Sequence, residues 1–83
     1  MIDEPDRAQF SVWIFWADGT HSAVAVLIKA YEAMRMAQTL SIYLGPADPT
    51  CERIIVTNGG DDTVFEWTRG EGVTFPPRVG GDA

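Results

Sequence analysis

The sequence predicts an α+β fold in the order β-β-α-β-β, a four-stranded antiparallel sheet with one helix packed on one face. Three observations carry this. Two pairs of runs rich in aromatic and β-branched residues are each joined by a turn signal, Asp18-Gly19 in the first and Gly59-Gly60-Asp61-Asp62 in the second. Between the pairs lies one segment of strong helix formers, stopped by Gly45-Pro46. The 83 residues, 46% of them hydrophobic, suit a single small core.

Residues 1–8 are polar and read as a flexible arm, with a single α+β domain over 9–75. Gln9 to Trp16 is the first strand: Phe10, Val12, Ile14 and Trp16 share one face, and Trp13 and Phe15 share the other with Ser11 and Ala17. Thr20 to Ile28 fits either a second strand or the start of a long helix, given its alanines. The hairpin signal before it and the alternation of Val24, Val26 and Ile28 favour the strand. Lys29 to Leu44 is the helix, with Ala33, Met36, Ala37, Leu40 and Leu44 on its buried stripe.

Pro46 to Thr50 reads as a loop, since two prolines remove backbone donors. Glu52 to Asn58 and Thr63 to Thr68 form the third and fourth strands. From Arg69 onward, repeated glycine and proline predict no regular structure, with Val73 and Phe75 pinning the chain to the body and 76–83 a flexible tail. Pairing strand one with three, or two with four, gives an order of 2-1-3-4 or 1-2-4-3. The first is preferred because it places the most apolar strands, one and three, at the centre.

Twelve acidic against six basic side chains give a net charge of −6, the opposite of a nucleic-acid footprint. Direct nucleic-acid binding is therefore not expected. A single cysteine, Cys51, permits neither an intrachain disulfide nor a multi-cysteine zinc site, and a reducing, cytoplasmic setting is expected. The acidic start and the lack of an apolar run of about 18 residues predict neither a secretory signal nor a membrane span.

The candidate sites are few. Asp61 and Asp62 on a glycine-rich bend offer oxygens to a hard cation, but Asn58, Gly59, Gly60 and Asp61 are equally the residues a turn demands, and no distal glutamate completes a cage. His21 beside Ser22 suggests a base and a hydroxyl, yet neighbours on a strand point to opposite faces. Cys51 with His21 is a conceivable thiol–imidazole pair, without a motif to support it. Glu66 can join Glu52 and Asp62 in a carboxylate pair, or more simply pair across strands with Arg53. Gly70-Glu71-Gly72 lacks the helix of a phosphate loop, and Pro76-Pro77-Arg78 offers one short polyproline segment. The reading therefore assigns no catalytic residue, no metal and no cofactor.

Trp13, Phe15, Phe65 and Trp67 raise a different question, namely where they are buried. Either the helix or the C-terminal segment covers them, or they lie uncovered and form an apolar patch larger than a soluble monomer usually tolerates. The second case implies a homodimer or capture of another protein.

The stretch RIIVTNGGDDTVFEWTRGEGVTFP from Arg53 to Pro76, with FWADGTH from Phe15 to His21 upstream, resembles a group of short bacterial proteins of uncharacterised function. The resemblance implies the two hairpins and no activity. The expected function is a small acidic, non-enzymatic protein-interaction domain that self-associates through an aromatic sheet face. The alternative from another class is a phage or mobile-element inhibitor whose acids occupy a basic nucleic-acid-binding site. A second alternative is a metal-assisted enzyme centred on Asp61 and Asp62.

Overall fold

Alternating apolar residues and turn-forming glycines fold the chain into one antiparallel sheet with its helices on a single face. In the computed structural model, which describes residues 8–75, the elements run β1 (Phe10–Trp16), β2 (His21–Ile28), α1 (Ala30–Ile42), α2 (Leu44–Ala47), β3 (Cys51–Thr57), β4 (Thr63–Thr68) and β5 (Gly72–Phe75). The strands lie side by side as β2-β1-β3-β4-β5. The α+β class, the antiparallel sheet and the strand reading of β2 agree with the sequence prediction. Residues 1–7 of the predicted arm, the predicted tail and Pro76-Pro77-Arg78 lie outside the described residues.

The strand number and order need correction, because the sheet has five strands and β5 is added beside β4. The glycines that predicted irregular chain after Arg69 are what bend it back. Gly70 has φ +87° at the third position of a turn closed by Glu71 N–H donating to Thr68 O, as a type II turn requires. Val73 then opposes Trp67 and Phe75 opposes Glu66.

Two smaller corrections concern the segment between helix and sheet. Leu44–Ala47 makes a further helical turn in place of a loop, and Pro46 is tolerated there because N–H groups of a first turn have no intrahelical partner. The third strand starts at Cys51, which is fully buried and not a loop residue.

Both long hairpins use one geometry. Gly19 N–H donates to Trp16 O and Trp16 N–H to Thr20 O; in the β3–β4 turn Asp61 N–H donates to Asn58 O and Asn58 N–H to Asp62 O. The third loop residue is left-handed in each, Gly19 at φ +91° and Asp61 at +66°. Asn58 Oδ1 accepts from the backbone N–H of Gly60 and Asp62, which fixes the second turn.

The core lies between α1 and the sheet: Val12 and Ile14 of β1, Cys51, Ile54 and Val56 of β3, and Phe65 of β4 pack with Ala33 and Ala37. Both alanines are wholly buried, and their small side chains let the helix lie close to the strands. Lys29 N–H donates to Glu32 Oε1 at 3.0 Å, satisfying a donor at the helix start. The edge strand β2 is irregular, with register shifts against β1 on both sides of Val12 and with Leu27 at φ +54°. Such bulges blunt an edge that exposes Val24, Val26 and Leu27.

Candidate functional site

The face of the sheet opposite α1 is built by the alternate residues of β1 and β3. Trp13 pairs with Ala23 on β2 and Ile55 on β3; Phe15 pairs with His21 and Arg53. Because Val12 and Ile14 point into the core, these neighbours must point away from it. Trp13 Nε1–H donates to Thr57 Oγ1 at 3.1 Å, which fixes the indole across two strands. The His21 ring stands 5.7 Å from that of Trp13 and 5.4 Å from that of Phe15.

Arg53 borders this cluster. Its guanidinium lies 5.7 Å from the centre of the Phe15 ring, and its Nε is 3.1 Å from Glu66 Oε2. The pair is the cross-strand bridge that the sequence suggested for Glu66. With Arg53 half exposed it contributes at most about 1 kcal/mol. A shallow cavity of about 220 Å³ opens beside it, lined by Trp13, Phe15, His21, Ile55, Thr57 and Asp61. Its walls are mostly aromatic and aliphatic, and Asp61 is the acidic residue among them.

Phe65 and Trp67 lie on the other side of the sheet. Phe65 opposes Val56 and is 3% exposed; Trp67 opposes Ile54 and packs on the core. The indole of Trp67 rests on Gly45, and the Arg69 guanidinium lies 5.8 Å from its ring centre. The helix side therefore covers this pair, while Trp13 and Phe15 stay on the open side. Arg69 also donates from Nε to Cys51 O at 2.8 Å and from a terminal nitrogen to the carbonyls of Gly45 and Asp48, tying α2 to β3 and β4.

The remaining candidates do not converge. Trp16 Nε1–H donates to Ser22 Oγ on the helix side, whereas His21 stands with Trp13 and Phe15 on the open side. Cys51 is buried with the core, and that burial pushes its thiol pKa above the ordinary value, away from the reactive thiolate. Among the described residues, no three His, Cys, Asp or Glu side chains are grouped to hold a metal ion, and no helix is long and apolar enough to cross a membrane.

Two carboxylates hold local structure at the other end of the sheet. Asp18 Oδ1 accepts from Thr20 Oγ1 and N, and Asp48 Oδ1 accepts in the same way from Thr50. The hydroxyl bond, followed by the amide bond, holds each carboxyl below the usual range.

The alternation of β1 separates Trp13 and Phe15 from the row of Val12 and Ile14, but the sequence alone does not assemble His21, Arg53, Ile55 and Thr57 around them. Their alternate positions on neighbouring strands were the available signal. Comparison with known protein families, curated proteins and solved structures finds no match.

Proposed function

We propose that this chain is a small, non-enzymatic protein-interaction domain that self-associates through the open face of its sheet. The observation that carries the reading is the cluster of Trp13, Phe15 and Ile55 on the side away from α1 and α2. A half-covered antiparallel sheet commonly turns a polar face to water, and this one sets the half-buried rings of Trp13 and Phe15 among its polar residues. Phe65 and Trp67 belong to the fold in this account, so the docking surface is smaller than four aromatics.

Among the described residues, the distribution of acids favours an interaction module over an acidic inhibitor. Asp18 and Asp48 lie at the β1–β2 end of the sheet, Asp61 and Asp62 at the β3–β4 turn, and Glu66 is engaged by Arg53. An inhibitor that occupies a nucleic-acid channel calls for carboxylates gathered on one face.

Light scattering over a dilution series tests the proposal, with Trp13→Ser beside the wild type. The expected result is a mass approaching two chains at high concentration and a folded monomer for the variant. A wild type that stays at one chain throughout overturns it.

A further inference from the structure

We propose that the self-associating faces are locked by Arg53 of each copy entering the other copy's cavity between Trp13, Phe15 and Asp61. This rests on the reading of the open face as a self-interface and specifies which contacts hold it.

Charge favours such a contact. Each chain carries −6, so a cation of one copy that meets an anion of the other offsets part of the repulsion between them. Among the described residues, Arg53 is the one lysine or arginine within a strand, and it stands beside Phe15 on the open face. Lys29 precedes α1, Arg35 lies on it, and Arg69 is held by α2 and β3 on the other side. Glu66 meets Nε of Arg53, which leaves the two terminal amino groups of the fork for a second acceptor.

The cavity has the chemistry to receive that fork. Aromatic rings attract a guanidinium over their faces, as Phe15 already does for its own Arg53, and Asp61 adds the opposite charge.

The geometry is compatible with twofold symmetry. Arg53 and Ile55 sit two residues apart on β3, roughly 7 Å along the strand. A twofold axis between the faces, crossing the strands midway, places Arg53 of each copy over Ile55 and Trp13 of the other. The contact is then made twice, as an isologous interface requires.

The size of the face sets the strength. Five strands about 4.8 Å apart and about 20 Å long give a plan area of roughly 500 Å², the scale of a small interface. The dimer is therefore weak and sensitive to dilution and salt.

A charge swap tests the inference, read by sedimentation equilibrium at low and high salt. Arg53→Asp alone and Asp61→Arg alone should each weaken self-association by about tenfold or more, the scale of a close interfacial charge pair. The double variant should recover it. Asp61→Asn removes the charge with a residue that tolerates the left-handed backbone, and should weaken association even if Asp61→Arg fails to fold. A wild-type dimer unmoved by Arg53→Asp and Asp61→Asn, or a folded double variant that does not recover, overturns this contact and leaves the self-association reading intact. A wild-type monomer at every concentration overturns both.

Discussion

The indole of Trp67 lies so close to Gly45 that a Cβ added to the glycine would come within 2.6 Å of its Cη2. This contact seats α2 on β4 and explains why a glycine stands inside a helical turn. Gly→Ala within a helix ordinarily stabilises by up to about 1 kcal/mol. Here the sign should reverse: Gly45→Ala forces the indole to shift and should cost about 1–3 kcal/mol in denaturant unfolding. Combining it with Trp67→Leu should recover part of that loss, since the clashing ring is gone.

Arg69 should matter to stability through the same corner of the fold. Its guanidinium serves the carbonyls of Cys51, Gly45 and Asp48. Lysine keeps the charge but lacks the planar fork. Arg69→Lys should therefore destabilise by about 1–3 kcal/mol, measured by urea denaturation with an unchanged slope.

Asp61 carries a left-handed backbone that glycine occupies at the matching place, Gly19, in the first hairpin. Asp61→Gly should stabilise the monomer by about 0.5–1 kcal/mol, measured at high dilution. The same variant should self-associate less, because the cavity loses its carboxylate. Stability and association moving in opposite directions would identify a strained residue kept for its charge.

The Asp18 and Asp48 carboxyls titrate below the ordinary value of about 4 because hydroxyl and amide donors favour the charged form. A folded-state pKa below the unfolded one contributes stability above the unfolded value and loses it as pH falls through the folded one. Stability should thus begin to fall on the acid side, as pH drops below about 4. Thr20→Val and Thr50→Val should raise the carboxyl pKa of Asp18 and Asp48 respectively, as followed by carboxyl carbon shifts in NMR.

The two aromatic pairs should respond oppositely to truncation. Phe65 is buried against Val56, and Phe65→Ala should cost about 3–5 kcal/mol, enough to unfold a domain of this size. Phe15→Ser, on the open face, should leave the thermal midpoint within a few degrees and lower self-association. Calorimetry on both variants separates the roles.

Much of this architecture was legible in the residues. The period of two in β1 separated the row of Phe10, Val12, Ile14 and Trp16 from Trp13 and Phe15 without telling which of them faces the helix, and Asp18-Gly19 and the Asn58–Asp62 segment marked the hairpins. Register was not legible. Phe65 and Trp67 alternate as clearly as Trp13 and Phe15, but which side they take depends on β4 pairing Phe65 with Val56, and a slip of one residue would send them to the other face. β5 escaped because Gly70 and Gly72 break a chain in most settings and here turn it back onto β4. The open-face site was legible only in part: Trp13 and Phe15 could be placed, whereas the approach of Arg53, His21 and Asp61 required the assembled sheet.

The three tryptophans report on self-association from within the molecule, because Trp13 stands on the open face while Trp16 and Trp67 pack on the helix side. The most direct measurement is the indole N–H region of proton–nitrogen NMR spectra across a dilution series. The Trp13 indole signal should move progressively with concentration while those of Trp16 and Trp67 stay in place. Signals that do not depend on concentration, or a shift led by Trp67 with Trp13 unmoved, would contradict it.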